Sequence, residues 1–391
     1  MAHQYSGALA ASLLADLGAD VIAVEHPTRD AIRTMLPRKG EHSMWWKVVQ
    51  RGKRMVSIDI STPEGRDVIL ALAREADVIT ENFRPGTLER WKLGPRDLEE
   101  AGISVVMLRI SGFGQSGPRS ERPGFGTVAE AMSGFANLNG EPDGPPIFPS
   151  TTLADGVAAI FGAFGAMAAM WSREHAGTRP GIEVVDMALF EGLFRIIPTQ
   201  IAGFHQLGEV PTRPGNKLTS HGVLRDLYQS RDGHWFIISA VGPVPIRRVV
   251  AAARLDALVA RLDAGVMADD PAEVIAFLDE CNEGIHTWAR ARSWNELVDD
   301  LTSGDVVYQQ VYAANDIVDD AHYQARGDLI EVPDDDLGPI LMQGVVPKFP
   351  SRVHSVWRAG PKRGIDNEEI LQGMLGLSDS ELAKLRDNGI I

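Results

Sequence analysis

The stretch PEGRDVILALAREADVITENFRPGTLERWKLGPRDLEEAGISVVMLRI, residues 63–110, decides the reading of the fold. Pro63 suits a first helical position, where its missing N–H costs nothing, and helical spacing of apolar residues carries on to about Ala76. Asp77-Val78-Ile79-Thr80 then reads as a short buried strand, residues 95–101 as a short helix, and Val105 to Ile110 as another strand. Toward the N-terminus the same pattern has already occurred once. GALAASLLADL at 7–17 predicts an apolar helix stopped by Gly18, and Val21-Ile22-Ala23-Val24 follows as a strand. Helices alternating with β-branched runs predict an α/β fold with a parallel sheet. No strand-like run precedes the first helix, so the expectation is either an irregular sheet edge or a missing start of the chain.

Downstream, the run from Asp155 to about Trp171 is rich in Ala, Gly, Phe and Met. It reads as a buried helix, stopped by Arg173-Glu174-His175 and by a loop from Gly177 to Gly181. Apolar character resumes at 183–197, and a loop rich in Gly, Pro, Thr and Asn occupies 207–222. The texture then changes. A strand-like segment around Trp235 to Ser239 and two amphipathic helices at 271–281 and 288–302 predict a smaller α+β domain. Gly338 to Pro350 reads as an extended return and 366–391 as a terminal helical pair.

Composition narrows the function classes. The chain has 391 residues, 44% of them hydrophobic, and no apolar run was expected to reach the roughly 20 residues of a membrane-spanning helix. A formal net charge of −15 argues against nucleic-acid binding, which needs clustered basic surface to displace counterions. Cys281 is the only cysteine, which excludes an intramolecular disulfide and a cysteine-based metal cluster and suits a reducing cytoplasm. The first residues carry no basic segment followed by an apolar stretch, so no secretory signal is expected.

Several motifs bear on chemistry. Gly112-Phe-Gly-Gln-Ser-Gly117 matches G-x-G-x-x-G after a strand, yet Pro118, a polar run and Pro123 follow it, leaving no helix N-terminus to hold a pyrophosphate. A glycine-rich loop is the expectation there. No histidine pair stands at i, i+4 and no H-E-x-x-H occurs, so no metal site is predicted. No G-x-S-x-G elbow is present. Asp155 stands at the start of the apolar helix and admits two readings: a helix cap, or a carboxylate kept ionised by the helix dipole as a nucleophile must be. Basic residues gather in the first ninety positions, among them Arg29, Arg33, Arg38, Lys47, Lys53 and Arg90. They read either as solvated surface or, where a subset converges, as a site for phosphates.

Taken together, LADLGADV (14–21), RGKR (51–54) leading to SID (57–59), PEG (63–65), ADVITENFRPG (76–86), ISGFGQSGP (110–118), AMSG (131–134), GEPDGPP (140–146) and ADG (154–156) resemble the family III CoA-transferases, the group of formyl-CoA transferase, carnitine CoA-transferase and α-methylacyl-CoA racemase. Ala325-Arg-Gly327 and 364–371 carry the likeness, more thinly, into the C-terminal half. The resemblance implies a large Rossmann-like domain built from both chain ends (1–205 and 326–391), a smaller α+β domain with linkers (206–325), and two interlocked subunits forming a homodimer. It implies no permanently bound cofactor. Coenzyme A would pass from an acyl-CoA, succinyl-CoA being one candidate, to a small carboxylic acid by way of an aspartyl-CoA intermediate in the cytoplasm. Asp155 matches the catalytic aspartate. Arg33, Asn82, Phe83 and Arg90 match positions that contact coenzyme A, and Lys53 lies in the matching basic segment.

Three departures qualify the likeness: the opening strand is missing, Tyr5 stands where formyl-CoA transferase has Gln, and Gly126 stands where many members carry an acid. Phe125 falls where the racemase branch has its catalytic histidine, which removes one of the two acid/base partners an α-proton needs. An acyl-CoA racemase or isomerase, and a non-catalytic acyl-CoA binding protein, are the alternative readings.

Overall fold

A computed structural model describes residues 1–175, 177, 181–268 and 270–391; the predicted loop from Gly177 to Gly181 lies largely outside them. The chain divides into two compact units. The first comprises Met1–Ala136, Phe148–Glu209 and His322–Ile391; the second comprises Asn137–Ile147 and Val210–Ala321.

In the first unit, α1 (Ser6–Asp16) ends at Gly18, whose φ of 105° is open to glycine at no steric cost. Next come β1 (Ile22–Glu25) and β2 (Arg54–Ser57), a parallel pair in register from Ile22 opposite Arg54 to Glu25 opposite Ser57. Thr62 caps α2 (Pro63–Glu75), its hydroxyl accepting from the Gly65 N–H, and Pro63 opens the helix as its missing donor allows. A second parallel sheet follows in the order β3 (Val78–Glu81), β4 (Val105–Ser111), β5 (Ile182–Ala188). All seven residues of β4 are buried, as a central parallel strand covered on both faces requires.

Helix α3 spans Gly126–Met132 and α4 spans Leu153–His175. At 23 residues α4 is longer than the predicted run and, contrary to expectation, long and apolar enough to cross a membrane. One face of it, made of small residues, packs into the core. Ala158, Ala159, Gly162, Ala163 and Ala166 form one buried face, and a Cβ at Gly162 would stand 3.1 Å from the Leu108 side chain of β4. The small face therefore lets helix and sheet approach closely. Directly after β5, α5 (Leu189–Ile196) packs on α3 and α4.

The second unit has its own core. An antiparallel sheet is built from β6 (Val223–Gln229), β7 (Trp235–Val241) and β8 (Tyr308–Gln310), with β7 central. Leu224, Tyr228, Phe236 and Ile238 pack there with Phe277, Cys281 and Ile285 of α6 (Pro271–Arg290). Helix α6 is continuous where the sequence suggested an end at 281. Asn282 and Gly284 interrupt its apolar periodicity, but the Tyr228 hydroxyl donates to Asn282 Oδ1 at 2.6 Å, and a Cβ at Gly284 would come within 2.8 Å of Leu255. Both residues serve packing, so neither breaks the helix. A second helix, Trp294–Ser303, starts on a Ser293–Glu296 capping box.

The chain then returns to the first unit. The extended return is a hairpin of β9 (Leu329–Val332) and β10 (Ile340–Gln343). The terminal pair is one wide turn at Glu369–Met374 followed by α7 (Asp379–Asp387). Between them the chain pairs with N-terminal backbone: the Gly360 N–H donates to Lys47 O at 2.8 Å, the Asp366 N–H to Met55 O at 3.1 Å, and the Ser57 N–H to Asn367 Oδ1 at 2.9 Å.

Candidate active site

Three segments of the first unit meet at Asp155. Helix α4 begins two residues before it, at Leu153, so Asp155 stands in the first turn and not at the cap. There the positive end of the helix dipole favours its anion. From α1 comes the buried Ser6, whose hydroxyl favours the Asp155 anion. From α3, Glu130 is 2% exposed and its Oε1 accepts the Ala154 N–H at 3.3 Å. Burial, and then the Glu130 carboxylate, push the Asp155 carboxyl from its ordinary 3.8 up to about 6, against the opposing pull of Ser6. Tyr5 completes the neighbourhood. Burial raises its phenol, with the Asp155 charge adding to the effect, and its ring packs edge-on against Trp45 at 5.1 Å.

Glycines make this approach possible. A Cβ at Gly126 would stand 2.0 Å from Asp155 Oδ2, so the carboxylate fills the space a side chain would need. The loop before Gly126 carries no helix, as the proline-bounded motif predicted. It is held in place by Asp186, which accepts the Gln115 N–H at 3.0 Å, and by the close passage of Gly112 and Gly124. A Cβ on Gly112 would be 2.8 Å from Gly124 Cα. The glycines thus bring two backbones together and deliver Gly126 to the nucleophile candidate.

The residues matched to coenzyme A positions that line or wall the cleft, Phe83 and Asn82, lie near the N-terminal end of α1. A cleft of about 450 Å³ is lined by Phe83, Trp91, His3, His26, Arg29 and Asp59, among others. Phe83 stands edge-on to His3 at 4.4 Å and to Trp91 at 5.1 Å. Asn82 accepts the His3 N–H at 2.7 Å and donates to His3 O and, at 3.5 Å, to Ser6 Oγ. It therefore links the cleft wall to the Asp155 cluster. Arg33 lies beside the cleft, not in its lining: it makes a two-pronged pair with Glu25 (2.8 and 2.7 Å) and stacks 3.5 Å over the Trp46 ring. Arg90 Nη2 donates to Thr87 Oγ1 at 3.0 Å.

Lys53 is placed differently from the expectation for a basic segment facing phosphates. It is 1% exposed, and its three N–H donors go to Ala8 O, Val49 O and Gln50 Oε1 at 2.7, 2.9 and 2.8 Å. Burial lowers its pKa to about 7. With no free donor it serves here as a strut between α1 and the turn after Val49. Sequence reasoning gave no role to Glu130, Ser6 or His26. Glu130 lies one helical turn after Gly126, a spacing that puts both on one face, but only its burial marks it out.

A family model described as CoA-transferase family III matches residues 1–367, and the chain belongs to that family. It is an enzyme of the CoA-transferase class, acting on CoA thioesters. Among its relatives, a succinyl-CoA–D-citramalate CoA-transferase of Chloroflexus aurantiacus is 34% identical, with 99% of this chain and 94% of the relative covered. The beta subunit of a succinyl-CoA–L-malate CoA-transferase from the same organism is also 34% identical, with 97% and 93% covered. Among solved structures, a CAIB/BAIF family protein from Brucella suis superposes with a TM-score of 0.81 at 25% identity, covering 95% of this chain and 96% of that one.

Proposed function

We propose that this protein transfers coenzyme A from succinyl-CoA to a small dicarboxylic acid, with Asp155 as the covalent nucleophile. The observation that carries the reading is the setting of Asp155: a half-buried carboxyl in the first turn of α4 whose pKa, at about 6, leaves it ionised at neutral pH yet more basic than an ordinary carboxylate. The alignment of nearly the whole chain with transferases named for succinyl-CoA, D-citramalate and L-malate supports the substrate class.

In the first step Asp155 attacks the succinyl-CoA carbonyl and expels CoA thiolate, leaving a mixed anhydride. The thiolate attacks the aspartyl carbonyl, succinate departs, and an aspartyl-CoA thioester remains. The acceptor carboxylate then attacks that thioester, expelling thiolate and forming a second anhydride. Thiolate finally attacks the acceptor's acyl carbon, which yields the new thioester and restores the Asp155 carboxylate. Each step displaces an activated leaving group, the advantage of a covalent route.

Coenzyme A is assigned to the cleft at Phe83. The aromatic pair Phe83 and Trp91 offers a stacking surface, and Arg29, whose Nη2 reaches His26 Nε2 at 2.9 Å, offers a charge for phosphate. Asn82, Arg33 and Arg90 support the cleft wall, and Lys53 supports α1 from beneath. The protein is further proposed to act as a homodimer in the cytoplasm. Ile160, Phe164, Met167 and Trp171 form an exposed apolar stripe along α4, a surface of the kind that partners cover.

The test is to incubate the protein with succinyl-CoA and, in turn, D-citramalate, L-malate and mesaconate, and to follow new CoA esters by mass. Wild type is expected to form one, and Asp155→Ala none. A new ester formed at the wild-type rate by the variant would refute the assignment of the nucleophile.

A further inference from the structure

The acid missing at position 126 has a counterpart one turn later. Glu130 is a carboxyl group buried to 2% exposure in a short helix whose other buried residues are Gly126 and Ala129. Burying such a group is costly unless it has work to do or a partner to hold it. Among the described residues, its hydrogen bond across to another element goes to the N–H of Ala154, the residue before the nucleophile. No cation on the described residues is paired with it, whereas the other buried carboxylates of this unit have Arg partners: Asp16 with Arg51, Glu25 with Arg33, Glu81 with Arg109 and Asp366 with Arg358.

We propose that Glu130 is a positioning residue for Asp155, fixing the first turn of α4 through the Ala154 N–H and setting a second carboxylate against the nucleophile. This rests on the reading of Asp155 as the nucleophile and extends it. Two buried like charges repel, so the free enzyme is raised in energy relative to any form in which Asp155 is acylated and neutral. Glu130 thereby makes Asp155 a stronger base and favours the covalent intermediate.

The other ionisable groups on the elements that pack against α4 are accounted for. On α1, Asp16 is held by Arg51; on β4, Arg109 is held by Glu81 and Glu89. On β5, Asp186 accepts the Gln115 N–H and Glu183 is half-buried; on α5, Glu191 accepts the Ala188 N–H and Arg195 is exposed. Tyr5 and Glu130 are the titratable groups electrostatically coupled to Asp155, and Glu130 is the one whose charge acts on its carboxyl.

Glu130→Gln keeps an oxygen for the Ala154 N–H and removes only the charge. With succinyl-CoA and L-malate as substrates, the acid limb of kcat/KM, expected near pH 6 in wild type, should move down by roughly half a unit or more. The steady-state fraction of Asp155 carrying CoA, read by mass on the peptide after acid quench, should fall severalfold. A merely structural role would lower kcat and leave the limb in place. E130A removes the same charge and carries the same expected shift, so whichever variant is soluble decides the question. An adduct that forms in wild type and variant alike, with one common acid limb, overturns the role of Glu130 alone. A wild type with no Asp155-linked adduct overturns the nucleophile reading instead.

Discussion

Replacing Asp155 by Asn should stabilise the protein while abolishing turnover. The carboxyl stands at about 6 in the folded chain against an ordinary 3.8, a gap of about two pH units, or about 3 kcal/mol at roughly 1.36 kcal/mol per unit. The sign follows from proton linkage. Above pH 6 both folded and unfolded states carry the charge, and the folded state bears the full cost of burying it beside Glu130. Between about 6 and 3.8 the folded state binds a proton that the unfolded chain lacks, so the cost fades; below that both are protonated and it is gone. Asn keeps the shape and the contact with Ser6 without the charge. For a unit of roughly 270 residues, 3 kcal/mol corresponds to roughly 5 °C in melting temperature. Thermal unfolding followed by tryptophan fluorescence should put D155N about that far above wild type at pH 8, with the gap closing as the pH approaches 4. A variant no more stable than wild type at pH 8, or a gap unaffected by pH, would refute the claim that burial and Glu130 load the nucleophile with unfavourable energy.

Two further outcomes follow from the same geometry. Gly126→Ala places a methyl group 2.0 Å from Asp155 Oδ2; because a carboxylate can rotate away where backbone cannot, the melting temperature should barely change while kcat drops about 100-fold, the cost of a displacement of about 1 Å at a reacting group. Arg109→Leu strips Glu81, fully buried, of its partner at 2.6 Å and Glu89 of its partner at 2.8 Å; urea unfolding should show a loss of about 3–5 kcal/mol, most of it recovered when Glu81→Leu is added.

What the sequence disclosed depended on how local the signal was. Strand β4 was legible because both its faces are buried, so Val, Met, Leu and Ile crowd into a short run; β3, with one face buried and the other half-buried, showed through its β-branched Val78-Ile79-Thr80. Capping chemistry marked the start of α2. The length of α6 was not legible, since Asn282 and Gly284 are justified only by Tyr228 and Leu255, which lie elsewhere in the chain. At the candidate site, Asp155 was visible as a carboxylate at a helix start, but its elevation to about 6 arises from burial and from Glu130, and neither can be read from ADG. Lys53 shows the opposite failure. A lysine between Gly52 and Arg54 reads as surface charge, and only the three acceptors around its ammonium reveal a buried strut. The distinction between a charge that meets ligand and one that braces the fold is made by tertiary contacts, which no window of sequence contains.

The pairing of residues 360–367 with Lys47, Met55 and Ser57, and of the Asp59 N–H with Ile390 O at 2.7 Å, has a consequence for synthesis on the ribosome. The outer edge of β2 has no partner until residues 360–367 have been translated and have cleared the exit tunnel. Until then one edge of a strand with Met55 and Val56 at its centre waits unpaired, the kind of edge that recruits neighbouring chains. The inserted unit, with a self-contained core, is free to fold early. Recovery of soluble protein should therefore be governed by how long the nascent N-terminal portion is shielded, and slower translation at low temperature or an abundant holdase should raise yield more than any change in the second unit.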